Sequence, residues 1–386
     1  MQPLRSLAAI STVALLGALP TVAHAQLNVM CSATAELCKL LVDEFNKDTG
    51  IKALLSATPE GRAAFPTIAD QKGKPQSDVW FGGSAATHYR ATKFALLDEY
   101  APPAAKELQP WAQKVVEQSK SRSVGVFARV VGIGYNSALV TQKKLAAPAC
   151  WKDLAKPGYA GQVRIGDPKT SGPAYFAIAA MSQIFGEDQA FNYLKAMYMP
   201  QAAAAKRGRA AADAGAAIPK GVPPAVVGKG SPGALMSATK GKGGSNAKTG
   251  TGPMEAPAAS PVGSALAGIG FIGDIVAEAE GGAPIKAVAP CEGTVYEIGA
   301  LSVIKGAPNL DNARKFVDWA LGPKAQALIA KAGHAYPANA AVPSSPLAPK
   351  WSEIKFIDYD AATYEKSAAR ARLTDRWSRE FAPAAR

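Results

Sequence analysis

Between Gly166 and Ala180 the chain reads GDPKTSGPAYFAIAA: a turn, then Lys169, Thr170, Ser171 and Gly172 in a row, then an apolar helix. Hydroxyls at the mouth of a helix do one of two jobs. They cap it, accepting from the orphan N–H groups of the first turn, or they join those N–H groups and the positive dipole end in holding an anion. The pattern recurs twice upstream, where Cys31-Ser32-Ala33-Thr34 and Gly82-Gly83-Ser84 each follow a short apolar run. Three such turns at strand-to-helix junctions supply what a cleft built from hydroxyls and backbone N–H groups needs. Its candidate contacts are Ser32, Thr34, Gly83, Ser84, Thr170, Ser171 and Gly172.

A search for catalytic residues yields little. Beyond residue 25 the histidines are His88 and His334, and neither stands near a nucleophile motif or a metal-ligand spacing. There is no G-x-S-x-G elbow, no H-E-x-x-H and no C-x-x-C. Gly268 to Gly273 does satisfy G-x-G-x-x-G, but a dinucleotide fingerprint needs a strand before its first glycine. Here an Ala/Gly/Pro-rich tract precedes it, and GIGFI is itself the strand pattern. The expectation is a protein that is not an enzyme, with no cofactor and no resident metal.

The elements that would position these turns follow from the rest of the chain. Arg5, an apolar run of 13 residues from Leu7 to Leu19, Pro20 and Ala23-His24-Ala25 form the layout of a secretory signal peptide over residues 1–25. That run is too short for a membrane-spanning helix, which needs about 20 residues. The product is expected in the periplasm. The ~360 residues that remain exceed what one core usually holds, so two lobes are expected. Four cysteines in an exported chain suggest two disulfides, with three connectivities open. A local Cys31–Cys38 bridge leaves Cys150 to pair with Cys291.

The net charge of +13 resembles a nucleic-acid signal, but its distribution argues otherwise. Met199 to Gly268 carries eight basic residues against two acidic ones and contains no aromatic residue. Nucleic-acid surfaces interleave basic residues with stacking aromatics. A basic tract without them reads as a flexible, low-complexity insert. No nucleic-acid partner is expected.

Strand and helix patterns alternate along the remainder. Leu27 to Met30 is a short apolar run, followed by a helix with Leu37, Leu40, Leu41 and Phe45 on one face and Gly50 as its stop. Ile51 to Leu55, Asp78 to Phe81 (breaking at Gly82), Val131 to Tyr135 and Ala300 to Ile304 read as strands, the last leading into a helix through Ala313, Phe316, Val317 and Ala320. Such alternation points to open α/β sheets, where ligands sit at the carboxyl ends of strands.

In order, the blocks SDVWFGGSAATH, VGIGYNSALV, KPGYAGQVRIGDPKTSGPAYFAIAA, FIGDIVAEAE, PCEGTVYEIGALSVIKGAPNLDNARKFVDWAL and IKFIDYD resemble the periplasmic solute-binding proteins of ABC importers. The resemblance is to the type II group containing ferric-ion and organophosphate binders. It implies an α/β fold of two lobes closing on ligand like a Venus flytrap, with the low-complexity insert in the second lobe. The lobes it implies are 26–127 plus 292–333, and 128–291 plus 334–386. It also implies an anion seat at Thr170, Ser171 and Gly172, with Tyr175 facing the cleft. The ferric branch holds iron with adjacent tyrosines on a turn that corresponds to Phe271-Ile272-Gly273-Asp274, where none occurs. In the organophosphate branch that turn offers His-Asp, and a Glu follows in the block matching TVYEIG. Asp274 and Glu297 match, and Gly273 stands where the His would be. The expected function is capture of a small anionic solute, a phosphorylated sugar or phosphonate, for delivery by a monomer to a membrane permease. The alternative is iron(III) bound by tyrosines such as Tyr175 or Tyr296. The family crosses the segment of the basic insert in about 25 residues, so 199–268 is either a true insertion or a disturbed reading frame.

Overall fold

The structure, a computed structural model, describes residues 26–56, 64–198 and 262–381. The expected signal peptide and residues 199–261 of the expected insert lie outside them.

The chain begins with β1 (Leu27–Ser32), α1 (Ala35–Thr49) and β2 (Ala53–Leu55). Thr34 caps α1 by accepting from Leu37 N–H, and Gly50 ends it in the left-handed region at φ 69°. The buried face of α1 is Leu37, Cys38, Leu41, Val42 and Phe45, and Phe45 meets Phe316 edge-on at 5.0 Å. After α2 (Ala64–Asp70), β3 (Val79–Ser84) enters beside β1 in parallel and leads directly into α3 (Ala85–Lys93). The expected break at Gly82 is instead a register shift within β3, between Phe81 and Ser84. Gly82 has φ +80°, and a Cβ there would lie 2.9 Å from Ser32 O, so the close approach of β1 to β3 requires glycine.

The next elements are α4 (Pro110–Ser119), β4 (Val124–Asn136), α5 (Ser137–Gln142), β5 (Val163–Ile165), α6 (Gly172–Phe185) and α7 (Glu187–Tyr198). They are followed by β6 (Ala267–Phe271), α8 (Ile272–Glu280), β7 (Ile285–Val288) and β8 (Tyr296–Val303). Then come α9 (Leu310–Leu321), α10 (Pro323–Ala332), β9 (Tyr336–Pro337), α11 (Ala361–Tyr364) and α12 (Ser367–Phe381). The strands run in the order β2-β1-β3-β8-β4-β6-β5, with β7 and β9 also pairing to β4. GIGFI is a strand over most of its length, as β6 occupies Ala267–Phe271.

Strand β4 holds the architecture together. Its first half pairs with β8 up to Val130, and from Val131 onward it pairs with β6 and β7. The hydrophobic core changes at the same peptide. Val126 and Val130 pack with Leu27, Phe81, Leu301 and Phe316, whereas Val131 and Ile133 pack with Trp151, Tyr175, Phe191 and Trp377. Two cores therefore share one strand. The chain returns alongside it, with Val131 N–H donated to Val295 O at 3.0 Å.

Residues at the edges of the expected lobes sit differently from the implied boundaries. Ala128 and Val130 lie in the first core, as do Ala335, Tyr336, Ala338 and Ile354, because β9 pairs with β4 at Phe127 and Ala128. Val295 packs in the second core. Helix α8 follows β6 of the second core, yet it buries Ile272 and Val276 in the first. At the described end of the expected insert, Val262 and Leu266 are fully buried, so those residues belong to the packed fold.

Both disulfides form as the cysteine count suggested. Cys31–Cys38 ties the end of β1 to the first turn of α1, and Cys150–Cys291 spans 141 residues of sequence. Around the long bridge, Glu292 accepts from the N–H groups of Trp151 and Lys152, and Trp151 Nε1 donates to Gly293 O. Loop-closure entropy makes a 141-residue bridge worth about 5 kcal/mol and a 7-residue bridge about 2. Cys150→Ser/Cys291→Ser should therefore lower the melting temperature roughly twice as far as Cys31→Ser/Cys38→Ser. Equal losses in thermal denaturation would show that the hydrogen bonds around Glu292 already hold the ends together.

Candidate functional site

All three hydroxyl turns cap their helices. Thr34 accepts from Leu37 N–H, Ser84 from Thr87 N–H and Ser171 from Ala174 N–H. In the third turn, the N–H groups of Thr170 and Ser171 both donate to Asp167 O, at 3.0 and 2.7 Å. The Thr170 hydroxyl also turns back to Asp167 O, at 3.4 Å, and Thr170 is exposed. Among the described residues, Gly172 N–H has no hydrogen-bond partner, and the Ser171 hydroxyl accepts from Ala174 N–H but donates to nothing. A Cβ at Gly172 would meet nothing within 4 Å, so this end of α6 opens onto space.

The two upstream turns are neighbours through the sheet. Ser32 is in register with Gly82, and Ser84 with Gly299, two residues from Glu297 along β8. Glu297 in turn lies opposite Arg129 on β4, one residue before the strand changes cores. Arg129 Nη2 donates to both carboxylate oxygens of Asp274, at 2.9 and 3.0 Å, and its guanidinium lies 3.9 Å from the centre of the Phe271 ring. Asp274 is in the first turn of α8, where the dipole favours a carboxylate. The two carboxylates singled out from the sequence thus meet around one arginine, part of an apolar strand whose only charge it is.

The C-terminal segment adds further charges and a tyrosine contact. Arg370 of α12 lies over the Tyr175 ring, 4.1 Å from its centre. Tyr175 is fully buried, and its hydroxyl donates to the Tyr364 carbonyl, so its ring faces the arginine while its oxygen is committed to backbone. Burial pushes the Glu297 carboxyl above the ordinary range, against the pull of Arg129 and Arg370. Burial raises Glu365 too, with the charge of Glu297 adding to it and Arg370 opposing. Glu365 and Arg370 remain exposed to solvent. Among the described residues neither Glu297 nor Glu365 makes a hydrogen bond or ion pair, and neither does the Arg370 guanidinium. The Tyr359 hydroxyl, stacked through its ring on Tyr364, is likewise buried without a partner. Glu297, Glu365 and Arg370 thus lie within electrostatic reach of one another without a direct pair.

Sequence reasoning missed Arg129, Arg370 and Glu365. Arg129 carried a signal, a lone charge within the 13-residue strand VGVFARVVGIGYN. Glu365 and Arg370 carried none, since charges are frequent along Glu365–Glu380. The position where a His was expected, Gly273, has no room for a side chain, because a Cβ there would lie 2.1 Å from His334 O. Among the described residues the one close group of potential metal ligands is Cys150, Cys291 and Glu292, whose sulfurs are joined to each other.

Residues 41–355 match the family described as bacterial extracellular solute-binding protein. The chain belongs to that family. An uncharacterised protein of Haemophilus influenzae is 30% identical over 364 residues, 93% of this chain and 91% of the relative. The periplasmic binding protein AfuA of Actinobacillus pleuropneumoniae, with fructose 6-phosphate bound, is 30% identical, covers 92% of this chain and 98% of its own, and superposes with a TM-score of 0.60. The periplasmic binding protein P5PA is 26% identical with a TM-score of 0.61, over 92% and 99% of the two chains. The ferric-ion-binding protein A of Pasteurella haemolytica shares the fold at 19% identity and a TM-score of 0.60. This solute-binding protein has the α/β fold of two-lobe periplasmic binding proteins, which work with ABC permeases and bind solutes rather than transform them. Among its described residues no helix is long and apolar enough to cross a membrane.

Because Glu297 titrates above its unfolded value, folding favours its protonated form. Its cost to stability is full above the raised pKa and vanishes below the ordinary carboxylate range. Glu297→Gln should raise the melting temperature near pH 7.5, and the gain should disappear as pH falls below about 4. A gain that persists unchanged in acid would show that Glu297 is not the titrating group. Arg129→Ala should cost about 2 kcal/mol in denaturant unfolding, because it removes both charge-assisted hydrogen bonds to the partly exposed Asp274 carboxylate.

Proposed function

We propose that this protein captures a phosphorylated sugar, or a phosphonate of similar shape, outside the cytoplasm and hands it to the permease of an ABC importer. Residues 1–25 direct export and are removed, and the mature chain acts as a monomer whose two lobes close on the ligand. The observation that carries the reading is the convergence at one crossing strand. Asp274 and Glu297 flank Arg129 there, while Ser32, Thr34, Ser84 and Ser171 stand at helix N-termini close to the same strands. Hydroxyls and the Gly172 N–H suit the phosphate, and the unpartnered carboxylates suit sugar hydroxyls. A protein 30% identical over nearly its whole length, whose structure holds fructose 6-phosphate, supports this choice.

Iron(III) held by Tyr175 or Tyr296 fits less well. Burial pushes both phenols up and so disfavours the phenolate that the metal needs. Tyr296 is also enclosed by Trp351 and Phe356, at 5.1 and 4.8 Å between ring centres.

Fructose 6-phosphate is the first probe. At 100 times its dissociation constant it should stabilise the protein by about 2.7 kcal/mol, a shift of several degrees in melting temperature. Ferric citrate should give neither that shift nor a visible phenolate charge-transfer band, and a coloured complex would favour the iron reading. Gly172→Asp separates the seat from the cap. The new carboxylate meets open space and a favourable helix dipole, so the fold should be as stable as the parent, while calorimetry should show phosphate-ester binding nearly abolished. Parent-like binding would leave that turn as a cap only.

A further inference from the structure

Ser32 differs from the other candidate hydroxyls in what it accepts. Its oxygen takes the indole N–H of Trp80, at 3.1 Å, and has no other hydrogen-bond partner among the described residues. Trp80 is 1% exposed and lies flat against the His88 ring, 3.7 Å between centres and 15° between planes. His88 is fully buried, and both of its nitrogens are engaged: Nε2 is 2.8 Å from Gly82 O and Nδ1 is 2.7 Å from Ser302 Oγ.

The chemistry of the partners sets the protonation of this stack. A carbonyl can only accept, so Nε2 carries the proton and Nδ1, 2.7 Å from Ser302 Oγ, is the unprotonated nitrogen of the neutral ring. Burial pulls His88 down to about 4, which keeps the ring neutral and its tautomer constant at ordinary pH. Ser302 is tied in turn to Ser123, their hydroxyls 2.8 Å apart. The ring is thus held at both ends, and it fixes the plane of the indole. Gly83 rests on that indole, where its Cβ position is 3.4 Å from Trp80 Cζ2, and Gly82 is pinned by the Nε2 bond.

We propose that Trp80, held by His88, is a positioning residue for ligand binding: by occupying the acceptor side of Ser32 Oγ, its N–H directs the serine proton toward the ligand's anionic oxygen. A free serine hydroxyl rotates among several partners. One whose lone pair is already taken by a rigid donor presents its own proton on the open side, and Ser32 is partly exposed there. The stack therefore links a buried, uncharged histidine to the geometry of the seat. The inference rests on the phosphate-ester reading of the site.

A double-mutant cycle tests it, with fructose 6-phosphate titrated calorimetrically into the mature protein. Ser32→Ala should weaken binding roughly fivefold, the worth of one hydrogen bond. Trp80→Phe keeps an aromatic ring on His88 but deletes the N–H, and it should weaken binding by a similar factor. If tryptophan acts through the serine, the double variant should bind no worse than Ser32→Ala alone. Multiplied losses in the double variant would overturn the proposal, because a merely structural tryptophan would add its cost independently. Should Trp80→Phe fold poorly, His88→Phe serves the same cycle. It keeps the stack and loses the hold on Gly82, and its loss should likewise vanish in the Ser32→Ala background. If the parent binds no phosphate ester, the reading of the ligand fails and this inference with it. If the parent binds and the losses are additive, only the positioning role fails.

Discussion

Arg129 is a cation in the middle of an apolar strand, and the rest of the molecule is arranged so that it can be there. A guanidinium taken from water needs an opposite charge and a surface for its flat face. Asp274 gives the first, with both carboxylate oxygens within 3.0 Å, and Phe271 gives the second. Both belong to the junction of β6 and α8, so satisfying Arg129 brings the start of α8 up to the strand that crosses between the cores. Glu297 follows from the same requirement, because it stands opposite Arg129 across the β4–β8 ladder.

On the proposed reading, this arrangement would make the crossing both hinge and site. The peptide between Val130 and Val131 is where β4 leaves one core for the other, and Arg129 precedes it by one residue. A ligand that engages Glu297 and the helix ends on either side touches elements of both cores at once, which is the differential contact that closure of a two-lobe binder requires. Helix α8 reinforces the coupling by burying Ile272 and Val276 in the first core although it springs from the second.

The polar groups divide into those already satisfied and those left open. Thr170, the N–H of Ser171 and the Tyr175 hydroxyl are spent on nearby backbone, as burial and local turn geometry demand. Glu297, Glu365 and Arg370 are near one another in electrostatic terms yet form no direct pair. Of these, Glu297 is the one withdrawn from solvent, and the cost of leaving it without a partner is what a solute could recover on binding.

Local chemistry was legible in the chain. The alternation of apolar runs marked β1, β3, β4, β6 and β8, the hydroxyls ahead of α1, α3 and α6 marked their caps, and the cysteine count led to both disulfides. These features depend on periods of two and 3.6 residues or on contacts a few residues apart, which sequence spacing encodes directly. Asp274 and Glu297 were legible through resemblance to relatives. What joins them was not. Arg129 meets Asp274 across 145 residues, and Arg370, from the far end of the chain, lies over the Tyr175 ring within electrostatic range of Glu297. No period connects such positions. Their meeting is decided by which strands pair and which cores share a strand, and that choice is made by the packing of the whole molecule.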